Sequence, residues 1–167
     1  MLVPALDAMV LVPASASLVL DHTAIAARIP HQGSMCLLDT VVDWSATTIF
    51  CSAISHRDPA NPLRAEDRLG AANGIEYAAQ AMAVHGNLLA QDGDQPRQGY
   101  LTSVRSVQLH VARLDDLPGE LSVQAERLSG DDNNILYQFS LSHAGRCLLE
   151  GRAAVVLDAA ALKETHS

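Results

Sequence analysis

The chain has 167 residues, of which 49% are hydrophobic and only 4% are aromatic. A chain of this length can bury one sizeable core, which here must be built mostly from Ala, Val and Leu. The formal net charge of −8 excludes sequence-independent binding to nucleic acid, because such binding needs clustered Lys and Arg to displace counterions. We therefore expect one acidic globular domain with no nucleic-acid partner.

The apolar N-terminal stretch superficially resembles a signal peptide. It lacks a basic n-region and contains one Asp and two Pro, which disfavours both an export signal and a membrane span. We interpret residues 1–20 as a flexible N-terminal extension, residues 21–158 as a single domain and residues 159–167 as a C-terminal tail. The three cysteines form no C-x-x-C pair, so we expect a cytoplasmic protein with neither a disulfide framework nor a metal site.

Two strands and one long helix are predicted first along the chain. Residues 35–43 and 47–55 have the composition of short strands. Residues 71–90 contain almost no β-branched side chains and repeat apolar residues at helical spacing, which predicts a helix roughly 30 Å long. Gly74 and Gly86 interrupt this helix, so we expect its backbone to approach a neighbouring element closely at both positions.

Four extended segments follow the helix, and turn residues separate them: 100–111, 121–128, 135–142 and 147–157. The last two form a hairpin in which Gly145 can supply a positive φ. An apolar helix among six strands can bury its sides only in the concave face of a curved antiparallel sheet. The sequence therefore predicts an α+β domain whose exposed sheet edge is covered by dimerisation.

Two titratable residues flank the segment that leads into the helix. His56 lies in a turn punctuated by prolines, and Glu76 lies near the start of the otherwise apolar helix. An imidazole with an ordinary pKa near ~6.5 can accept a proton at neutral pH, whereas a carboxyl group buried among apolar side chains can retain one. The pair is suited to removing a proton from carbon while protonating a departing hydroxyl.

Several segments carry a family resemblance. Residues 29–41, which read Ile-Pro-His-Gln-Gly-Ser-Met-Cys-Leu-Leu-Asp-Thr-Val, resemble the opening segment of the β-hydroxyacyl-acyl-carrier-protein dehydratases of the hotdog fold. Residues 56–63 resemble the catalytic histidine turn of that family, and residues 76–80 resemble the start of its central helix. The resemblance covers residues 24–157 and is closest to the branch associated with aryl-polyene pigment pathways. One departure is the segment 64–69, which intervenes between the histidine turn and the helix.

The resemblance implies dehydration of 3-hydroxyacyl thioesters to trans-2-enoyl thioesters, carried on the phosphopantetheine of an acyl carrier protein or of coenzyme A. It implies no bound cofactor. It also implies that His56 of one subunit faces Glu76 of the other in a homodimer, with a higher oligomer or a heteromeric partner left open. The enolate-like charge on the thioester needs hydrogen-bond donors, and free amides at the helix start, at Gly70, Ala71 and Asn73, are the candidates.

Further residues have more than one interpretation each. Gln80 lies one helical turn after Glu76, so it can orient the carboxyl group, bind substrate, or serve only as a polar packing residue. Arg57, Arg64 and Arg68 fall in one loop, where they can contact an acidic carrier or remain solvated.

Three other polar side chains are given a structural interpretation. We interpret His31 as a structural or surface group, and His85 is out of helical phase with Glu76. Asn61 either braces the His56 turn or is an ordinary turn asparagine.

Two other functions remain open from the sequence. A hotdog thioesterase would use Glu76 to activate water, and His56 would then be dispensable. A non-catalytic hotdog subunit that binds an acyl carrier would need neither side chain for turnover.

Overall fold

The computed structural model describes residues 19–90, 99–131 and 133–157. Residues 1–18 of the predicted extension and the whole predicted C-terminal tail lie outside these ranges. Within the described residues, the helices are α1 (His22–Ala26) and α2 (Gly74–Leu89). The strands are β1 (Thr40–Trp44), β2 (Thr48–Ala53), β3 (Tyr100–Leu109), β4 (Leu121–Gly130), β5 (Asn134–His143) and β6 (Arg146–Val156).

The strands form one antiparallel sheet in the order β1-β2-β4-β5-β6-β3. Helix α2 lies in the concave face of the curved sheet and packs against β2, β4 and β5. Its buried face combines large side chains such as Tyr77 and Met82 with small ones, of which Ala78 and Ala81 are fully buried, and the small ones let the helix sit close to the sheet. The predicted α+β architecture with a wrapped central helix is confirmed.

The start of α2 shows why one glycine is needed and the other is not. A Cβ atom on Gly74 would lie 2.6 Å from Cδ2 of Leu149 and 3.1 Å from Cδ2 of Leu141, so the predicted close approach is confirmed there. A Cβ on Gly86 would meet nothing within 4 Å, so the same prediction is wrong for Gly86.

The predicted starts of one strand and of the long helix are wrong, because a 3-10 turn lies at the predicted start in each case. Residues 33–35 form a 3-10 turn in which Gly33 has φ +60, so β1 begins at Thr40 rather than at residue 35. Residues 71–73 form another such turn, which places the start of α2 at Gly74. The predicted hairpin turn between β5 and β6 is confirmed, with φ +81 at Gly145.

The two edges of the sheet differ. Beside β1, the amide of Val19 donates to the carbonyl of Val41 at 3.0 Å, and the amide of Val41 donates to the carbonyl of Leu20 at 2.9 Å. Beyond β3, no further strand is found among the described residues, and Tyr100 and Leu101 expose apolar surface.

Within the described ranges, no helix has the length and hydropathy to cross a membrane.

Candidate active site

His56 is fully buried in a 3-10 turn that directly follows β2. Its Nε2 lies 3.0 Å from the carbonyl oxygen of Leu117. A carbonyl oxygen can only accept, so Nε2 carries the hydrogen and Nδ1 carries the lone pair. Nδ1 is buried and has no hydrogen-bond partner in the described part of the chain.

Burial lowers the pKa of His56 below its usual value near 6.5, and the nearby cationic side chains of Arg57 and Arg64, together with His143, lower it further. The hydrogen bond to the Leu117 carbonyl opposes this shift. The imidazole is therefore neutral at pH 7, with its unshared electron pair on Nδ1.

A hydrogen-bond network holds the His56 turn. The side-chain amide of Asn61 donates to the carbonyl of Ser55 at 2.9 Å and to the hydroxyl of Tyr77 at 3.1 Å. That hydroxyl lies 2.8 Å from Oγ of Ser55, and Oδ1 of Asn61 accepts from the amide of Leu63 at 2.8 Å. The Nδ2 bonds of Asn61 brace the turn and its Oδ1 bond is that of an ordinary turn asparagine, so both interpretations apply.

The segment that departs from the family pattern, residues 64–69, folds back on itself. Glu66 and Asp67 both adopt positive φ, and the backbones of Ala65 and Arg68 exchange two hydrogen bonds around them, at 2.9 and 3.0 Å. The inserted residues therefore form a two-residue hairpin turn.

The three arginines predicted to contact a carrier are not equivalent. The guanidinium of Arg64 donates to the carbonyl oxygen of His56 at 3.1 Å and to that of Asp67 at 3.3 Å. The side chains of Arg57 and Arg68 are exposed. Arg64 thus holds the His56 turn, whereas the other two remain open to solvent.

Glu76 lies in the first turn of α2, and its side chain is 35% exposed. The burial that a protonated carboxyl group needs is therefore only partial within one chain. Oε1 of Glu76 lies 3.1 Å from Nε2 of His31 and 3.4 Å from Nε2 of Gln80. The interpretation of His31 as a structural or surface group stays a prediction, and the structure adds a contact between this side chain and the proposed acid.

Gln80 connects Glu76 to the opening segment. Its Oε1 accepts from the amide of Leu37 at 2.8 Å, and its Nε2 donates to the carbonyl of Met35 at 2.7 Å. The side chain is fully buried, so its polar atoms must be paired within the protein. Gln80 serves as a buried packing residue that also contacts the carboxyl group.

The amides predicted to stabilise an oxyanion already have partners in two cases. The amide of Ala71 donates to the carbonyl of Ala112 at 3.1 Å, and that of Asn73 donates to the carbonyl of Gly70 at 3.0 Å. The expectation that these two amides are free is therefore wrong. The substrate-binding role of Gly70, Ala71 and Asn73 stays a prediction.

Two cavities lie beside the candidate residues, and only the second is lined by the central helix. The first has a volume of about 820 Å³ and is lined in part by Ser55, Arg57 and Asn61, so His56 lies just behind its wall. The second has a volume of about 620 Å³ and is lined by Glu76 and His31, together with apolar residues of α2, β3 and β6. Within the described residues of one chain, no contact joins His56 to Glu76.

The sequence did not predict the contact between His31 and Glu76, because no periodic pattern links the two residues. His31 lies in an irregular segment before β1, and only the folded chain brings it to the helix. The exclusion of His85 from the site is confirmed, since its ring nitrogens bond to the hydroxyl of Tyr137 and the carbonyl of Ser45, both at 2.8 Å.

Comparison with known proteins identifies the family. The family model for ApeP-like proteins, described as ApeP dehydratase, matches residues 23–165. The chain belongs to the ApeP-like dehydratases. No curated protein matches this ApeP-like chain in sequence.

Solved structures agree on the fold. The dehydratase heterocomplex ApeI:P from Xenorhabdus doucetiae contains a chain that is 23% identical, with a TM-score of 0.72 over 80% of this chain and 90% of that one. A thioesterase from Haemophilus influenzae is 10% identical, with a TM-score of 0.59 over 83% and 90% of the two chains. A zebrafish thioesterase superfamily member is 12% identical, with a TM-score of 0.57 over 83% and 99%. These structures show that the ApeP-like chain has the hotdog fold, and the family model makes it a hotdog dehydratase.

Proposed function

We propose that this ApeP-like protein removes water from 3-hydroxyacyl thioesters on the phosphopantetheine of an acyl carrier protein, giving trans-2-enoyl thioesters in polyene-type or fatty-acid biosynthesis. The observation that carries the proposal is the state of His56. It is a buried, neutral imidazole whose Nε2 is fixed by a carbonyl and whose Nδ1 has no partner in the described chain.

His56 is the base in this scheme. Its Nδ1 takes the proton from C2, which lies beside the thioester carbonyl, and the ring becomes an imidazolium. The Leu117 carbonyl, already bonded to Nε2, stabilises the positive charge that forms. Ser55 and Arg57, on either side of His56, line the first cavity, and the scheme requires this wall to open when substrate reaches Nδ1.

Glu76 is the acid. As the C2 proton leaves, the C3–O bond breaks, and Glu76 gives a proton to the departing hydroxyl, which leaves as water. A double bond forms between C2 and C3. Afterwards Glu76 is anionic and His56 is cationic, and transfer of one proton back through solvent restores both. The thioester oxygen carries transient negative charge, for which Gly70 remains a candidate amide donor.

A second subunit completes the site in this proposal. Tyr100 and Leu101 line the Glu76 cavity and also lie on the uncovered β3 edge. A subunit paired along β3 would cover that cavity and bury Glu76, and it would bring its own His56 to the bound substrate. We take the second subunit to be another copy of this chain. The structurally similar Xenorhabdus dehydratase is a heterocomplex, so a different hotdog subunit is the alternative partner.

The carrier is proposed to dock beside the first cavity. Asp39, Asp58 and Glu120 also line that cavity, so the proposed contact is with the exposed guanidinium groups of Arg57 at its wall and of Arg68 on the hairpin turn. Acidic carriers are attracted by such cations even when the protein itself has a net negative charge.

The test follows a 3-hydroxyacyl-loaded carrier protein by intact mass. Wild type should remove one water, and His56→Ala and Glu76→Gln should each lower kcat roughly 10²- to 10⁴-fold. His56→Gln accompanies His56→Ala, because it keeps more of the buried volume. Release of the acyl group would instead indicate a thioesterase. Turnover that appears only after a second hotdog subunit is added would replace the homodimer with a heteromer.

A further inference from the structure

The second cavity contains a histidine that the dehydration scheme does not yet use. His31 and Glu76 are 30% and 35% exposed, and Nε2 of His31 lies 3.1 Å from Oε1 of Glu76. Nδ1 of His31 is buried and has no hydrogen-bond partner among the described residues. The His31 ring is thus enclosed at Nδ1 and in contact with the proposed acid at Nε2.

His31 is held rigidly on both sides. The side-chain amide of Gln32 donates to the carbonyls of Ala26 and Ile29 at 2.8 and 3.2 Å. A few residues later, Gln80 fastens the backbone of Met35 and Leu37. The imidazole therefore lies on a segment whose backbone is hydrogen-bonded both before and after His31.

The contacts distinguish the two oxygens of Glu76. Oε1 receives both Nε2 of His31 and Nε2 of Gln80, whereas Oε2 has no hydrogen-bond partner within the described ranges. In a protonated carboxyl group, the oxygen that accepts two donors is the carbonyl-like one, so the proton resides on the other. The two donors thus direct the acidic proton to Oε2.

We propose that His31 is a positioning residue for dehydration, whose Nε2–H holds Oε1 of Glu76 so that Oε2 presents its proton to the leaving hydroxyl. This inference rests on the proposed function. The same hydrogen bond strengthens as Glu76 becomes anionic in the transition state, because hydrogen bonds to a charged acceptor are stronger than those to a neutral one. His31 therefore acts on kcat and not on substrate affinity.

The kinetic test compares His31→Leu with His31→Gln, whose side-chain amide keeps a donor within reach of Glu76. His31→Leu should lower kcat about 10- to 100-fold with KM nearly unchanged, since a misplaced catalytic group costs that much. His31→Gln should recover most of the loss. His110→Leu is the matched control, because it removes a second exposed His–Glu pair, with Nε2 of His110 3.4 Å from Glu150, that lies outside both cavities.

The outcomes separate this inference from the proposed function. Absence of dehydration by wild type, alone or with a partner subunit, overturns the proposed function. If wild type is active, a His31→Leu variant with wild-type kcat, or a His31→Gln variant as impaired as His31→Leu, overturns the role of His31. Equal losses of thermal stability in both variants with raised KM would also contradict it, because they indicate a purely structural residue.

A second measurement needs no turnover. Long-range ¹H–¹⁵N NMR of the histidine rings should show His31 protonated on Nε2, and Glu76→Gln should shift that signal while leaving the His110 ring unchanged. A His31 ring that does not respond to Glu76→Gln would overturn the proposed contact.

Discussion

The His56 turn and the Glu76 cavity differ in how far a single chain buries the side chain and supplies its hydrogen-bond partners. His56 is fully buried, and its turn is held by the Leu117 carbonyl, the Asn61 amide and the Arg64 guanidinium. Glu76 is held at one oxygen only and is 35% exposed at the open β3 edge. One half of the proposed acid–base pair is thus complete in a single chain, and in the proposed scheme a partner subunit completes the other half.

This difference has a chemical reason. The base must be neutral before reaction, and burial of His56 by its own chain achieves that without a partner. The acid must be shielded from water when substrate is bound, and a subunit that covers the Glu76 cavity can provide this shielding. With such a split, in which the base is completed by its own chain and the acid by a partner, turnover requires assembly of the two subunits.

Mixing inactive variants tests the split with the largest expected effect. His56→Ala and Glu76→Gln should each be nearly inactive alone. If a site uses His56 of one subunit and Glu76 of the other, subunit exchange should restore about a quarter of wild-type activity, because half of the dimers are mixed and each contains one intact site. Activity is measured before and after the exchange. No recovery despite exchange, shown by mass spectrometry of tagged subunits, would place both groups in one chain.

The exposed edge can be blocked directly. Leu101→Lys puts a charge on β3, where it should oppose edge pairing, lower the mass seen by light scattering to that of a monomer, and reduce dehydration at least tenfold. Leu128→Lys is the matched control, because Leu128 is 40% exposed and Leu101 is 41% exposed, yet Leu128 lies on the interior strand β4. A Leu101→Lys protein that remains dimeric and active would rule out β3 as the interface.

Two glycines in α2 test how tightly the start of this helix, which carries Glu76, packs against the sheet of its own chain. Gly74→Ala places a Cβ 2.6 Å from Leu149 and should lower the free energy of unfolding by about 1–3 kcal/mol through overpacking. Gly86→Ala meets no atom within 4 Å and should raise it by about 0.5–1 kcal/mol, as expected for a helical glycine. Urea unfolding measures both. Equal effects would mean that the start of α2 can move away from the sheet.

The fold was predictable from the sequence because its signals are local. The helical spacing in α2, the turn at Gly145 and the strand composition each act over a few residues, and their order leaves one arrangement. The boundary errors arose where tertiary contacts override local preference. The amide of Ala71, for example, pairs with the carbonyl of Ala112, which holds the first predicted helical residue outside α2.

The candidate site was predictable only in part. His56 and Glu76 were proposed from flanking residues that resemble a family, and their proposed chemistry follows from residue type. The contact between His31 and Glu76 and the bond from Arg64 to the His56 carbonyl join residues with no shared periodicity. Such contacts depend on the path of irregular segments, which composition does not determine.

The smallest expected effect concerns pH and comes from two buried histidines, His56 in its turn and His85 in α2. Burial lowers the pKa values of His56 and His85 in the folded protein, whereas an unfolded histidine titrates near ~6.5. As pH falls below about 6.5, the unfolded chain binds protons first, so stability is fully present above that pH and is lost toward the lower folded pKa values. Urea unfolding between about pH 5 and 8 should show this slope, and His56→Gln and His85→Gln should each remove part of it. An unchanged slope in His56→Gln would mean that the imidazole is already accessible to protons in the folded chain, and the His56 turn would then be no more closed than the Glu76 cavity.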